Sequence, residues 1–306
     1  MSLAVLAAAL LLDVVWGEYP RAIHPVVWIG KTISLLLKLS PSSGWWRQLG
    51  FGAFLAFSVP AGVAVAATFA MRWKPPVLGI AFILAVYLLK ASFSLRELGR
   101  AAERVRAPIV MGDLPRAREA LRSLCSRDPS QLDEEALLGA TIESLAENLS
   151  DSFVAPLFYF LLFGIPGALA YRAINTLDAM VGYRGQYEAL GKASALLDDL
   201  ANLVPARITA ALLLVAGLLT GRNVVFGWRI FWRDRAKTPS PNGGRPMAMM
   251  AGLLGVRLEK KDVYTLGDAV MPLEPVTVTQ AWRLAFLTAC CAFVLCFLGI
   301  VGLKLT

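Results

Sequence analysis

Three carboxylates spaced four residues apart are the feature of this sequence best suited to chemistry. Glu143, Glu147 and Asp151 lie in the stretch ATIESLAENLSDS, and the uncharged segment 152–171 follows directly. On an α-helix, four residues turn only about 40° past a full circle, so the three side chains project from one side. A row of acids repels itself, which favours a bound metal ion or ammonium group. The alternative is a helix N-terminus that favours negative charge.

Polar side chains at helical spacing recur elsewhere. Asn148 lies on the stripe next to the acid row. Downstream, Asn175 and Asp178 are three residues apart, and Asp198 and Asn202 are four apart, so each pair shares a helix face. These pairs are therefore further candidates for binding or catalysis.

An arginine and a rigid turn suggest an anion site. Arg207 lies at the edge of a predicted membrane segment, where an unpaired charge is costly, and this favours a functional role over simple snorkelling. The turn TPSPNGGRP (238–246) is bracketed by prolines. Its glycines let backbone N–H groups converge, and Ser240, Asn242 and Arg245 add side-chain donors, which suits a phosphate. An ordinary loop explains the turn motif equally well.

The one histidine and the four cysteines exclude several site classes. His24 lies directly before Pro25. This pattern favours a structural helix cap, and ligand contact is the alternative. No cysteine pair has zinc-ligand spacing with histidines, and three of the four cysteines lie in one apolar segment. Disulfide frameworks and Cys/His catalysis are therefore poor interpretations.

The elements that must position these residues are membrane helices. The chain has 306 residues, of which 57% are hydrophobic and 17% charged, so a soluble protein could not cover its surface. We predict an all-α, polytopic helical membrane protein with about five to six membrane segments, some broken or re-entrant. The apolar windows that support this prediction are 49–71, 75–89 (extending to 95 if Lys90 snorkels), 152–171, 203–221 and 284–303, with the short apolar segment 2–15 retained as structure.

The positive charge is uneven and indicates orientation. The net charge is +8, with eight arginines in 96–127 and nine basic residues in 222–261. By the positive-inside tendency, both regions face the cytoplasm. Anionic lipid headgroups explain much of this excess, and a phosphorylated substrate is compatible with it. Aromatic residues do not alternate with the basic ones in a groove-like pattern, so we expect no nucleic-acid partner.

The segment boundaries follow from this charge pattern. We predict one integral membrane domain over 1–306, with a cytoplasmic helical hairpin insert at 96–150 and a cytoplasmic loop at 222–281 that carries the turn. Segment 152–171 contains the helix breakers Pro156, Gly164, Pro166 and Gly167, which predict an interrupted helix. We hypothesise that the polar clusters meet in one cytoplasm-facing pocket.

Taken together, these motifs resemble the adenosylcobinamide-phosphate synthase family of cobalamin biosynthesis over nearly the whole chain. One departure is Gly243, where alanine or serine is expected as often. The matching residues are Leu12, Asp13, Gly17, Glu18, Pro20, His24, Pro25, Val26 and Gly30; Ile142, Glu143, Ser144, Glu147, Asn148, Ser150, Asp151, Ser152, Ala155 and Pro156; Tyr171, Arg172, Asn175, Thr176, Asp178, Ala179, Met180, Val181, Gly182, Gly191, Asp198, Asp199, Asn202, Pro205, Ala206 and Arg207; and Ser240, Pro241, Asn242, Gly243, Gly244, Pro246, Met247, Ala251, Gly252, Leu254, Gly255 and Val256.

The resemblance implies a multi-pass enzyme of the cell (inner) membrane that forms an amide with ATP as co-substrate and Mg²⁺ as cofactor. It implies a corrinoid substrate, adenosylcobyric acid, and an aminoalcohol phosphate, either (R)-1-amino-2-propanol O-2-phosphate or ethanolamine phosphate, or the unphosphorylated amine. Besides the lipid bilayer, other corrinoid-pathway membrane enzymes are expected partners. The rival hypothesis is a non-enzymatic sensor or transporter of the same fold. The number of cytoplasmic polar motifs favours the enzyme.

The resemblance also suggests roles for individual residues, although it leaves open which acid binds metal and which acts as the base. The catalytic candidates are Glu147, Asp178 and Asp199. The metal-binding candidates are Glu143, Glu147, Asp151 and Asp198, or the pair Asp198 and Asp199. The substrate- or phosphate-binding candidates are Asp13, His24, Asn148, Asn175, Arg207, Ser240, Asn242 and Arg245.

Overall fold

The computed structural model describes residues 2–73, 75, 77–125, 128–183, 185 and 187–305, and within these ranges the protein is an all-α polytopic membrane protein. Its α-helices are α1 (Ser2–Val15), α2 (Pro25–Leu37), α3 (Trp45–Arg72), α4 (Leu78–Lys90), α5 (Arg96–Val110), α6 (Leu114–Leu121), α7 (Glu134–Leu149), α8 (Ala155–Val181), α9 (Glu188–Leu219), α10 (Val224–Asp234), α11 (Gly244–Leu254) and α12 (Pro275–Leu305). A short 3₁₀-helix covers Arg21–Ile23, and a π-helix covers Ser150–Val154. Strands β1 (Leu258–Lys260) and β2 (Tyr264–Leu266) form an antiparallel hairpin in which Leu258 pairs with Leu266.

The long apolar helices match the predicted membrane windows. By length and composition, four helical stretches of the described chain could each cross a bilayer, and shorter apolar helices accompany them. Windows 49–71 and 284–303 fall within α3 and α12, and window 203–221 overlaps α9 as far as Leu219. Window 75–89 corresponds to the shorter helix α4. The positions of these helices therefore follow from the sequence, because a helix needs about 20 apolar residues to cross a bilayer.

The chain divides into two compact units. Unit 1 comprises Met1–Ser94, Ala155–Asn202 and Cys296–Thr306. Within it, α8 packs against α2 and α3, and α1 packs against α4. Leu55 of α3 and Leu177 of α8 meet in a buried core cluster, where each is almost fully removed from solvent. Unit 1 is thus built on apolar helix–helix contacts.

Helix α8 is interrupted near its middle, as the sequence predicts. Gly164 has φ of 66° and ψ of −159°, a conformation that side chains with a Cβ rarely adopt. Pro166 follows two residues later and cannot donate the backbone hydrogen bond of a regular helix. The prediction of an interrupted helix in 152–171 is confirmed.

Unit 2 comprises Leu95–Val154 and Leu203–Leu295. Helix α5 packs on α6 and α7, α11 packs on α10 and α7, and the hairpin packs on α7. The insert predicted at 96–150 consists of α5, α6 and α7 in its described part. Segment 222–281, predicted as a loop, contains α10, α11, the hairpin and the start of α12. Its apolar residues bury one face of α10 and nearly all of α11.

The acid row does not lie on one regular helix. Glu143 and Glu147 belong to α7, whereas Asp151 lies in the π-helical segment that follows. A π turn has more residues than an α turn, so the four-residue spacing no longer places Asp151 where a regular helix would. Such π segments occur frequently at functional sites.

Candidate functional site

Unit 2 brings the acid row to the proline-bracketed turn. The Glu147 carboxylate on α7 approaches the backbone where α11 begins. A Cβ added at Gly243 would lie 2.7 Å from Oε1 of Glu147. Neighbouring Glu143 is buried, with 4% exposure, whereas Glu147 is half-buried. Two clusters that are far apart in sequence therefore form one candidate site.

Internal hydrogen bonds fix the shape of the turn. The Asn242 backbone N–H donates to Oγ of Ser240 at 3.2 Å, and Oγ1 of Thr238 donates to the Ser240 carbonyl at 2.8 Å. Nε of Arg245 donates to the Pro241 carbonyl at 3.1 Å. These bonds hold the polar groups of the turn in place before any ligand arrives.

Three arginines form a positive patch beside this turn. Burial, and then the positive charges of Arg207 and Arg235, lower the pKa of Arg245. Each of the three donates a hydrogen bond to a backbone carbonyl of its own segment. Within the described chain, none of the three has a carboxylate at ion-pair distance, although mutual repulsion favours an anion there. The patch brings together Arg207 and Arg245 of the predicted phosphate site and adds Arg235, which the sequence analysis missed. Its phosphate-binding role stays a prediction.

If the patch binds a phosphorylated substrate, replacing Arg245 with lysine should raise the KM for that substrate about tenfold or more with little change in stability. Lysine keeps the positive charge but loses the planar fork that binds two phosphate oxygens. Steady-state kinetics at varied substrate concentration measures the change. The matched control is Arg257→Lys, at an exposed arginine of the hairpin region, and this variant should behave like wild type. Equal KM values for both variants would remove Arg245 from the phosphate site.

A buried aspartate braces the segment that leads into the turn. Asp234, with no exposed side chain, accepts two hydrogen bonds from Arg233, each at 2.8 Å. It also pairs with Nζ of Lys237 at 2.6 Å and accepts the Gly267 N–H at 2.7 Å. Although burial opposes its charge, the hydrogen bonds from Arg233, Lys237 and Gly267 lower the pKa of Asp234 to about 2. In the sequence, Asp234 looks like a solvent-exposed acid among basic residues. Only its burial in the structure reveals its bracing role.

The Asp234→Asn variant should lose about 1–3 kcal/mol of stability, the typical range for breaking a buried charged hydrogen-bond network whose cations remain half-exposed. A carboxylate with a lowered folded-state pKa stabilises the protein above its unfolded pKa of about 3.9, and the effect disappears as the pH falls towards 2. Thermal unfolding in detergent should therefore show a wild-type advantage at neutral pH that narrows between about pH 4 and pH 2. A difference in melting temperature between wild type and Asp234→Asn that stays constant over this pH range would argue against this role of the Asp234 carboxylate.

Unit 1 contains a second polar network, which involves three of the predicted site residues. Asn202 donates to Asp198 at 3.0 Å, and Asn175 donates to the same carboxylate at 3.4 Å. The hydroxyl of Tyr171 donates to Asn202 at 2.8 Å, and Arg172 donates to Asn175 at 3.1 Å. Asp198 and Asn202 share one helix face, as predicted, and they are hydrogen-bonded to each other. Helix α8 adds Asn175 to this network.

The other two acids of this region lie nearby in sequence. Asp199 follows Asp198 on α9 and is half-buried. Oδ1 of Asp178 lies close to Gly182 at the end of α8, where an added Cβ would clash with it. Their predicted catalytic roles stay predictions.

A buried charge network in unit 1 links the two predicted residues nearest the N-terminus. Lys90, fully buried, places Nζ 3.1 Å from Oδ1 of the equally buried Asp13 and 3.4 Å from Oε1 of Glu18. Nε2 of His24 lies 2.5 Å from Oε2 of Glu18. Lys90 does not snorkel, so the condition for extending window 75–89 to residue 95 is not met. Asp13 and Glu18 neutralise its charge inside the unit.

His24 has a clear structural role in this network. Its Nδ1 accepts the Val26 backbone N–H at 3.2 Å and so caps α2. Burial opposes the charge of Glu18, but the His24 hydrogen bond and the Lys90 charge lower the pKa of Glu18 to about 2. The helix-capping interpretation of His24 is confirmed, and its substrate-binding role stays a prediction.

The side chains at the turn suit a magnesium ion whose ligands come mainly from a bound phosphate compound. Within the described ranges, no group of three or more His, Cys, Asp and Glu side chains lies close enough together to hold a metal ion. Magnesium commonly binds through one or two carboxylates, with waters and substrate phosphates completing its shell. One carboxylate, Glu147, lies at the turn. The site therefore suits a metal–phosphate complex better than a protein-only metal cage.

The chain is similar to proteins of one family along almost its entire length. The model of the CobD/Cbib protein family matches residues 6–285. The cobalamin biosynthesis protein CobD of Dehalococcoides mccartyi is 42% identical over 300 residues, covering 98% of this chain and 97% of that protein. The probable cobalamin biosynthesis protein CobD of Methanothermobacter thermautotrophicus is 40% identical over 292 residues, covering 93% of each. The CobD protein of Geobacter metallireducens is 40% identical over 291 residues, covering 92% of this chain and 90% of that protein. No solved structure matches the chain.

Proposed function

This chain belongs to the CobD/Cbib family of cobalamin biosynthesis proteins, and from that premise we propose that it is an ATP-dependent amide ligase. It joins the free propionate of adenosylcobyric acid to an aminoalcohol phosphate and gives adenosylcobinamide phosphate. We propose the cell (inner) membrane as its location. The observation that supports this proposal most directly is the approach of the Glu147 carboxylate to Gly243 beside the arginine patch.

The arginine patch and the turn suit the phosphate groups of the reaction. A carboxylate becomes an acylating group when its oxygen takes the terminal phosphoryl group of ATP and ADP departs. Arg207, Arg235 and Arg245 supply three positive charges that form no ion pair within the described chain, so they can hold ATP or the aminoalcohol phosphate. The lack of a side chain at Gly243 lets the Glu147 carboxylate approach the turn, and at Gly244 it lets the backbone pack against Thr238.

Glu147 would share a magnesium ion with the bound phosphates. Bound in this way, Mg²⁺ screens phosphate charge during phosphoryl transfer. Glu143 is buried one turn earlier on α7. It can act as an outer-shell group that helps to orient the Glu147 carboxylate. Asp151, in the π-helical segment of the same unit, is a proposed further ligand of this ion. The predicted metal-binding role of Asp198, in unit 1, stays a separate prediction.

Amide formation also requires a base. The amine nitrogen attacks the acyl carbon, the phosphate leaves, and the amine proton passes to an acceptor. Asp178 and Asp199 are the proposed acceptors. Asn175 and Asn202 hydrogen-bond Asp198 and so keep its carboxylate oriented beside Asp199.

A reconstituted reaction tests the proposal. The purified full-length protein in detergent is mixed with adenosylcobyric acid, ATP, Mg²⁺ and aminopropanol phosphate, and phosphate release is measured. We expect release only when both organic substrates are present, and the product should be adenosylcobinamide phosphate by mass spectrometry. Asp199→Asn should lose turnover while folding normally. Binding of a corrinoid without any ATP turnover would instead favour a sensor or transporter.

A further inference from the structure

Helix α10 leaves a stripe of large apolar side chains uncovered in unit 2. Val225 is 78% exposed, Trp228 46% and Trp232 51%. Spacings of three and four residues place all three on one face of the helix. The opposite face is buried and consists of Gly227, Ile230, Phe231 and Asp234. Two exposed tryptophans on one short helix form a patch that usually marks an interaction surface.

Arginines border this stripe. On a helical wheel, Arg229 lies about 40° from Val225, at the edge of the apolar face. Its guanidinium group lies 5.6 Å from the centre of the Phe226 ring. The guanidinium of Arg235 lies 3.6 Å from the centre of the Trp232 ring. An apolar stripe with aromatic rings at its centre and cations at its edge is the pattern of a helix that lies in a membrane surface.

The position of α10 in the chain indicates what covers the stripe. The preceding helix α9 is long and apolar enough to cross a membrane, and it ends in Leu218 and Leu219, each 66% exposed. Four residues, 220–223, separate the two helices. A chain of four residues reaches at most about 14 Å, so α10 begins near the level at which α9 leaves the bilayer.

We propose that α10 lies in the plane of the membrane at the headgroup level, with Val225, Trp228 and Trp232 against the acyl chains. Arg229 then faces the phosphates of anionic lipids, whose charge complements its own, while Arg235, stacked on Trp232, remains part of the candidate phosphate site. This inference is independent of the proposed ligase activity, because it rests on exposure, spacing and the adjacent membrane helix. Since Asp234 ends α10 and braces the segment before the turn, the arrangement holds the candidate phosphate site at the membrane surface.

Spin labels test the depth of the helix in the full-length protein. In a variant whose four cysteines are replaced by alanine, single cysteines are introduced as Val225→Cys and Trp228→Cys, labelled with a nitroxide and reconstituted into vesicles of phosphatidylcholine and phosphatidylglycerol. Collision with oxygen and with a water-soluble nickel chelate gives the depth of each label. We expect both labels about 5–10 Å below the phosphates, with oxygen access exceeding nickel access.

Two control sites calibrate the measurement. Leu218→Cys, at the exposed end of α9, should report a lipid environment. Lys261→Cys, at the exposed hairpin turn, should be open to the nickel chelate. Nickel access at Val225 and Trp228 equal to that at Lys261 would overturn the proposal. Spin–spin broadening that disappears on dilution with unlabelled protein would also overturn it, because a second copy of the chain would then cover the stripe.

Discussion

Replacing Glu147 with glutamine should lower turnover at least about 100-fold while the protein remains folded. Glutamine keeps the size of the side chain but removes the negative charge that faces the Gly243 backbone. If this charge holds a magnesium–phosphate complex, the loss of the charge destabilises the transition state more than the ground state, and turnover falls. Phosphate release in the reconstituted assay measures the effect, and thermal unfolding verifies that the fold is intact.

A matched control for Glu147→Gln is available on the same helix. Glu135 lies in the first turn of α7 and is exposed. Glu135→Gln removes the same charge from the same helix and should keep wild-type turnover. Raised Mg²⁺ should partly restore Glu147→Gln if the lost interaction is with the metal. Near-normal turnover of Glu147→Gln would exclude the carboxylate from the mechanism.

Replacing Lys90 with methionine should destabilise the protein by about 3–5 kcal/mol. Methionine fills a similar volume, but it leaves the buried Asp13 carboxylate without its cation. Glu18 loses one of its partners at the same time. An uncompensated buried charge costs far more than the pair contributes when intact. Unfolding of the detergent-solubilised protein by heat or denaturant measures the difference.

A double variant separates the effect of the unpaired charge on stability from the effect of altered side-chain packing. Asp13→Asn combined with Lys90→Met removes both charges, so it should recover much of the stability that Lys90→Met loses. Lys31→Met, at an exposed lysine of α2, is the control and should have little effect. If the double variant were less stable than Lys90→Met, the ion pair would not be the cause.

Local chemistry made several features predictable. The membrane windows follow from bilayer thickness, and α3, α9 and α12 fall where 20-residue apolar stretches require them. The break at Gly164 follows from the conformational freedom of glycine and the missing donor of Pro166. The bond between Asp198 and Asn202 follows from their four-residue spacing. Each of these depends on residues of one continuous segment of the chain.

Long-range pairing was not predictable from local pattern. Lys90 looks like an interfacial lysine until Asp13 and Glu18 are found beside it. Asp234 looks like a solvated charge until Gly267 donates to it in a buried position. Periodicity along one segment carries no information about which distant segment supplies a counter-charge.

The sequence by itself determined the membrane class, the positions of the apolar helices, the family resemblance and the residue types suited to metal and phosphate. Only the tertiary structure decided that Glu147 meets the turn at Gly243, that the acid row passes into a π-helix before Asp151, and that α10 exposes an aromatic stripe. The physical reason is that hydropathy and helical spacing are local properties, whereas burial and charge pairing depend on contacts between segments distant in the chain.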